Sequence, residues 1–144
     1  MPRFPRFRSW SLASLAFAAM LPACVSDPSA FRTDAVDALH PDAVTEVSIE
    51  IGTAVTLTLP GNAGTGYDWV LADGLPEFLR QRGQSRFVAK EASRVGSQGD
   101  TRFIIEAVGP GEASVRFHYL PGWNQNARPV RWAEAAVTAK TEGD

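Results

Sequence analysis

The fold class of this 144-residue chain is decided by residues 47–59, which read VSIEIGTAVTLTL. Apolar and polar side chains alternate on both sides of a turn at Gly52-Thr53. An alternation with a period of two predicts β-strands that bury one face. Pro60-Gly61 is predicted to end the second strand, because proline cannot donate a hydrogen bond to a strand ladder.

The same alternation predicts further strands at residues 67–71, 86–89, 103–107, 113–119 and 130–139. Gly109-Pro110-Gly111 is interpreted as the turn of a hairpin, whereas the last strand leaves its buried face undecided. No stretch of the domain carries the apolar stripe of an amphipathic helix. The sequence therefore predicts an all-β fold, an antiparallel β-sandwich of about seven to eight strands.

The N-terminus is typical of an export signal. Arg3, Arg6 and Arg8 precede an apolar run of about a dozen residues, which is shorter than the ~20 residues that a membrane-spanning helix needs. Residues 1–23 are interpreted as a signal peptide. The chain has 14 basic and 16 acidic residues, so removal of the three arginines changes the formal net charge from −2 to −5.

Cys24 is the only cysteine of the chain and directly follows Leu21-Pro22-Ala23. This segment resembles the lipobox at which bacterial lipoproteins are cleaved before a lipidated cysteine. Cys24 is thus a candidate lipid-attachment site, and the alternative is an incidental thiol; in both cases no intramolecular disulfide forms. We expect an exported protein of the cell envelope or periplasm, anchored to a bacterial membrane through Cys24.

The remaining chain divides into three parts. Residues 24–42 are rich in Pro, Ser, Asp and Ala and are expected to form a flexible tether with little structure. Residues 43–140 have the length of one sandwich domain, and residues 141–144 form a tail. We expect a monomer. The acidic balance and the absence of a Lys/Arg stripe argue against nucleic-acid binding.

Groups suited to catalysis are few. His40 falls in the tether, and His118 falls on a predicted strand, where we expect it on the outer face of the sheet. Neither these histidines nor Cys24 gives a Ser-His-Asp, Cys-His or zinc-site pattern. The scattered carboxylates are interpreted as solvated surface groups: Asp68, Asp73, Glu77, Glu91, Asp100 and Glu106. We therefore expect no enzyme activity, no metal and no cofactor.

Glycine and other turn residues concentrate in three loops, which lie near Gly61–Gly66, Gly96–Gly99 and Pro121–Asn126. In a sandwich these three loops can emerge at one end. Glycine-rich tips allow backbone to approach a partner, and Trp123 would be an exposed aromatic contact. The loops therefore indicate a binding surface, and the alternative is that they are ordinary turns.

The first of these loops resembles that of the chagasin-type inhibitors of papain-like cysteine peptidases. The family pattern is close to Asn-Pro-Thr-Thr-Gly-Tyr/Phe, followed by a strand tryptophan. This chain has the pattern at five positions: Asn62, Thr65, Gly66, Tyr67 and Trp69. It departs from the pattern at two, since Ala63 replaces the proline and Gly64 replaces the first threonine.

The other two loops resemble the family in part, over a match that covers about residues 44 to 140. The family's second loop is a short Gly-x-Gly-Gly, and this chain has Gly96-Ser97-Gln98-Gly99, with Gln98 in place of a glycine. The third family loop carries Arg-Pro-Trp, and Pro121-Gly122-Trp123 aligns the tryptophan without the arginine.

The resemblance implies an immunoglobulin-like sandwich and a reversible, non-covalent inhibitor of papain-like cysteine peptidases. The three loops would block the active-site cleft, with residues 62–67 over the catalytic cysteine. Trp69 is expected in the core, and Tyr67 either supports the loop or caps the core. The alternative is a non-inhibitory envelope lipoprotein with an immunoglobulin-like binding domain. The sequence does not indicate the target peptidase or whether it is endogenous or foreign.

Overall fold

The computed structural model describes residues 32–40, 42–91 and 95–143. The predicted signal peptide (1–23), Cys24 and the first part of the predicted tether lie outside these residues. Within the described ranges, no helix is long and apolar enough to cross a membrane.

The described residues form nine β-strands and one short 3-10 helix. The strands are β1 (Arg32–Ala35), β2 (Val44–Glu50), β3 (Ala54–Asn62), β4 (Tyr67–Leu71), β5 (Leu79–Gln81), β6 (Arg86–Ala89), β7 (Gln98–Ala107), β8 (Gly111–Pro121) and β9 (Arg131–Lys140). The prediction of an all-β fold is confirmed, although the number of strands exceeds the predicted seven to eight.

The strands form two sheets. The first has the order β1-β3-β7-β5, with β6 also paired to β7, and the second has the order β2-β9-β8-β4. The pairs β1–β3 and β2–β9 are parallel, so both sheets of the predicted sandwich are mixed, while the other pairs are antiparallel as predicted. Parallel neighbours need a crossover between them, and between β1 and β3 the chain provides it by passing through β2 in the other sheet.

The predicted hairpin at Gly109-Pro110-Gly111 is also corrected. β7 belongs to the first sheet and β8 to the second, so this turn crosses between the sheets. The rings of Phe103 on β7 and Phe117 on β8 face each other across the core, with centroids 5.0 Å apart. Alternation identifies a buried face on each strand, but it does not distinguish strands that pair edge to edge from strands that pack face to face.

Part of the predicted tether belongs to the domain. β1 lies parallel to β3, from Arg32 opposite Val55 to Ala35 opposite Thr58. Val36 and Ala38, which follow β1, are 2% and 6% exposed and belong to the core. The prediction of little structure is therefore wrong for this stretch, because two small inward-facing side chains and an edge-strand pairing are sufficient to hold it.

The second predicted strand does not end at Pro60. β3 continues to Asn62, with Pro60 opposite Asp100 of β7. Proline has no amide hydrogen to donate to a neighbouring strand. It is tolerated here because β1 pairs with β3 only as far as Thr58, and among the described residues no strand pairs with this edge of β3 at Pro60. The extension matters for function, since it brings Asn62 opposite Gln98.

The core fills the space between the two sheets. Trp69 is fully buried, as predicted, and its Nε1–H donates to the Pro60 carbonyl across the sandwich at 3.0 Å. The undecided face of the last strand is also settled, because its inward residues are small and buried: Ala133, Ala135, Val137 and Ala139.

Candidate functional site

Three loops lie side by side at one end of the sandwich because the strand register brings their ends together. Loop 1 (residues 62–67) connects β3 to β4 and thus bridges the two sheets. Its first residue, Asn62, pairs with Gln98, where loop 2 (residues 90, 91 and 95–97 of those described) enters β7. Its last residue, Tyr67, pairs with Pro121, where loop 3 (residues 121–130) leaves β8. Loop 1 is therefore flanked by loop 2 on one side and by loop 3 on the other.

Loop 1 is closed by its own hydrogen bonds. Ala63–Thr65 form one turn of 3-10 helix, which begins at Asn62 and ends at Gly66. The Asn62 Oδ1 accepts from the Gly64 amide at 2.9 Å, and the Thr65 Oγ1 donates to the Asn62 carbonyl at 2.7 Å. Gly66 has a φ of 72°, the left-handed region that favours glycine. The conformation of the loop is thus fixed by the residues that match the family pattern.

Tyr119 supports loop 1 from the second sheet. Its hydroxyl lies 3.3 Å from the Asn62 amide, which donates to it, and 3.3 Å from the Thr65 Oγ1. Since the Thr65 hydroxyl proton already goes to the Asn62 carbonyl, the Tyr119 hydroxyl is the donor in the second contact. The sequence identifies Tyr119 only as an inward strand residue, so this supporting role was missed.

Loops 1 and 2 meet at two glycines. A Cβ added to Gly64 would lie 2.9 Å from the Cα of Gly96, which leaves no space for a side chain. Gly96 itself has a φ of 73°. Of the residues predicted to form the second inhibitory loop, Gly96 and Ser97 lie in loop 2, whereas Gln98 and Gly99 lie in β7, and Gly99 is buried beneath β6. Gly99 is therefore a packing residue.

Loops 1 and 3 meet at Trp123. The Gly122 amide donates to the Gly66 carbonyl at 2.9 Å, and a Cβ on Gly66 would lie 2.7 Å from Cζ3 of the Trp123 ring. The Tyr67 ring contacts Trp123 edge to face, at 5.9 Å between centroids, and lies 5.7 Å from Tyr119. Tyr67 is partly buried against the core, so it both supports the loop and caps the core.

The end of the sandwich exposes apolar and small side chains. Trp123 is 74% exposed although its ring rests on loop 1, and Val95 of loop 2 is fully exposed. Ala63 to Gly66 are exposed as well, whereas Pro121 is buried as the last residue of β8. The surface that a partner would meet therefore consists of loop 1 at the centre, with Gly96 and Val95 on one side and Trp123 on the other.

Several titratable groups lie on the sheets or form ordinary ion pairs. His118 is half-buried on the outer face of the second sheet, where it was expected. Asp73 pairs with Arg116 at 2.5 Å, and Arg82 donates to Glu106 at 2.8 Å, which lowers the pKa of that carboxyl. Among the described residues, no three His, Cys, Asp or Glu side chains lie close enough together to hold a metal ion.

Residues 48–137 match the sequence model of the chagasin family of peptidase inhibitors, I42. The chain belongs to the chagasin family. A comparison of the chain with curated protein sequences found no match.

Solved structures agree with the chagasin-family assignment at the level of the fold. The cysteine protease inhibitor EhICP2 from Entamoeba histolytica is similar with a TM-score of 0.59 at 16% identity, over 76% of this chain and 96% of that one. Amebosin is similar with a TM-score of 0.56 at 23% identity, over 76% of this chain and 98% of that one.

Proposed function

We propose that this chagasin-family chain is a reversible, non-covalent inhibitor of papain-like cysteine peptidases. Loop 1 enters the active-site cleft over the catalytic cysteine, and loops 2 and 3 contact the walls of the cleft. The observation that carries this proposal is the position of loop 1 between the other two, with Gly64 against Gly96 and Gly66 against Trp123.

The conformation of loop 1 favours an inhibitor over a substrate. A peptidase of this class cleaves a peptide that lies extended through its cleft, whereas residues Ala63–Thr65 form a helical turn. The hydrogen bonds of Asn62 and Thr65 hold that turn closed, and Tyr119 supports it from below. Unfolding the turn into an extended strand would break these bonds, so the loop fills the cleft without presenting a cleavable bond.

Preorganisation supplies much of the expected affinity. Trp123 already rests on Gly66 and Tyr67 in the free protein, so binding does not have to fix its position. Covering this exposed ring would contribute about 2 kcal/mol or more, as buried aromatic residues do at the centre of interfaces. Ala63 has only a methyl side chain and Gly64 has none, so loop 1 itself acts through its backbone and its shape.

We also propose that the chain is exported and held at a bacterial membrane through Cys24. The arginine-rich leader and the segment Leu21-Pro22-Ala23 support this. Arg32 pairs with Val55 at the start of β3, whereas loop 1 follows the end of β3, so a tether that reaches Arg32 joins the domain at the end opposite the loops. The eight residue steps from Cys24 to Arg32 span at most about 30 Å. A lipid at Cys24 would therefore leave the three loops directed away from the membrane.

Two measurements test these proposals. Papain and related peptidases are titrated with residues 25–144, and we expect competitive inhibition with the inhibitor recovered intact; trypsin, a serine peptidase, is the control and stays active. Absence of inhibition at micromolar concentration across several papain-like enzymes would favour the non-inhibitory binding lipoprotein instead.

Mass spectrometry of the full chain expressed in bacteria should find an acylated N-terminus at Cys24, and an unmodified start elsewhere would contradict the anchor.

A further inference from the structure

We propose that residues 36–40 form a fourth contact element, in which Leu39 and the groove beside it bind the rim of the same peptidase cleft. This inference rests on the proposed function and adds to it a contact outside the three loops. The groove has a volume of about 310 Å³ and is lined by residues that include Leu39, Asn62, Thr65, Lys90, Tyr119 and Arg131.

The fold brings this segment to the loop end. β1 runs parallel to β3, so both strands point toward the end at which Asn62 begins loop 1. The Val36 amide continues the pairing by donating to the Thr58 carbonyl at 2.9 Å. Val36 and Ala38 then enter the core, and the alternation turns Leu39 outward beside loop 1.

Hydrogen bonds fix the backbone on both sides of Leu39. The Asp37 Oδ1 accepts from the amides of Leu39 and His40, at 2.9 and 3.2 Å, and its Oδ2 lies 2.9 Å from Nδ1 of the His40 ring. On the other side, Arg131 Nη2 donates to the Ala38 carbonyl at 2.8 Å. The same guanidinium lies 5.6 Å from the centroid of the Trp69 ring, so it is itself held in place.

The Leu39 side chain is nevertheless 74% exposed. Because the backbone on both sides of Leu39 is already held, a partner that covers the side chain does not have to order the segment, and burying the side chain removes apolar surface from water. Leu39 therefore has the properties of a preformed contact, as Trp123 does on the opposite side of loop 1.

The groove is continuous with the loop surface. Asn62 and Thr65 of loop 1 form one of its walls, and Tyr119, whose hydroxyl holds loop 1, lies between that wall and Arg131. A peptidase that receives loop 1 in its cleft thus places the adjoining rim of the cleft over Leu39. The occupant we assign to the groove is this rim rather than an unrelated partner.

The charges of the groove define the chemistry of that rim. Among the described residues that line the groove, Lys90 and Arg131 are charged and none is a carboxylate. The segment that fits best carries an apolar side chain against Leu39 and an acidic side chain near Lys90. The charge contributes mainly to the rate of association and to the choice among peptidases.

The test measures inhibition constants for residues 25–144, which contain every described residue, with papain and related peptidases. We expect Leu39→Ala to weaken inhibition about tenfold, through faster dissociation, for the peptidases that the native chain inhibits. Lys90→Ala should slow association and reduce its dependence on salt for those peptidases whose cleft rim is acidic. Val108→Ala is the matched control, because Val108 is an exposed valine just after β7, at the end opposite the loops.

The outcomes separate this inference from the proposed function. If the native chain inhibits and Leu39→Ala inhibits equally well with every enzyme, the fourth contact is refuted while the three-loop inhibitor stands. If the native chain inhibits nothing, the proposed function itself fails. If the native chain is a dimer that Leu39→Ala dissociates, the face binds a second copy, which also overturns the inference. Thermal unfolding of Leu39→Ala should match the native chain, because the side chain is exposed.

Discussion

Gly64 and Gly96 belong to different loops, yet a Cβ atom on Gly64 would lie only 2.9 Å from the Cα of Gly96. The atom in the way is backbone, so a side chain at residue 64 must displace loop 2 as a whole. The family's threonine at this position is therefore incompatible with the present position of loop 2. Glycine at residue 64 removes the threonine side chain of the family pattern, and it is also required by the close approach of loop 2 in this chain.

Gly64→Thr should weaken inhibition of papain-like peptidases, even though it restores the family residue. Displacing loop 2 should lower the free energy of unfolding by about 1 kcal/mol or more, as overpacking does elsewhere. Inhibition constants and chemical denaturation measure the two effects. Gly74→Thr is the control, because nothing lies within 4 Å of the added Cβ at Gly74. Stronger inhibition by Gly64→Thr would show that loop 2 moves freely and would contradict this account.

The two tryptophans of the site should separate stability from inhibition. Trp69 is fully buried, so Trp69→Ala should lower the free energy of unfolding by about 3–5 kcal/mol. Trp123 is 74% exposed, so Trp123→Ala should leave the stability nearly unchanged and weaken inhibition about 30-fold, the equivalent of about 2 kcal/mol. Denaturant unfolding and inhibition constants test the pair. Equal losses of stability in both variants would refute the division of roles.

Tyr119→Phe should weaken inhibition several-fold while the fold persists. The hydroxyl accepts from the Asn62 amide and donates to Thr65, and its removal should cost about 1 kcal/mol and loosen loop 1. Tyr67→Phe is the matched control, because Tyr67 contacts Tyr119 and Trp123 through its ring. Measurement of both variants against one peptidase is sufficient. An unchanged constant for Tyr119→Phe would mean that loop 1 holds its shape without the hydroxyl.

The sequence predicts those parts of the fold in which one strand face alternates clearly. Strands β2 to β4, β6, β8 and β9 are predicted close to their observed positions, whereas β7 begins at Gln98, five residues before its predicted start. β1 was missed because only Val36 and Ala38 beyond it are buried, and β5 because it has three residues. Strand pairing was harder still, since an alternating pattern fixes which face is buried but not which sheet a strand joins.

The candidate site shows the same limit. The motif residues of loop 1 were identified through the family resemblance, and the structure shows that Asn62, Thr65 and Gly66 form a local turn that neighbouring residues can specify. Tyr119 and Leu39 are 57 and 23 residues from Asn62 in the chain and reach loop 1 only through tertiary structure. The inward position of Tyr119 was readable from the strand pattern, whereas Leu39 was assigned to the tether, and the proximity of either residue to the loop was not predicted.

The Leu39 segment should respond to acid through Asp37. The pKa of this carboxyl is lowered below its ordinary value of 3.8, first by the hydrogen bond with the His40 ring and then by the amides of Leu39 and His40. A lowered pKa in the folded state means that the carboxylate stabilises the segment above pH 3.8 and that this stabilisation is lost as the pH falls through the lowered pKa.

An NMR titration of the Leu39 amide is the direct measurement. Its chemical shift should show a change with a midpoint below 3.8, as the pH falls through the lowered pKa of Asp37. Asp37→Asn keeps an acceptor oxygen for the two amides but has no group that titrates there, so this change should be absent from the variant. A midpoint at or above 3.8 in the native chain, or the same titration in Asp37→Asn, would show that Asp37 does not hold the segment.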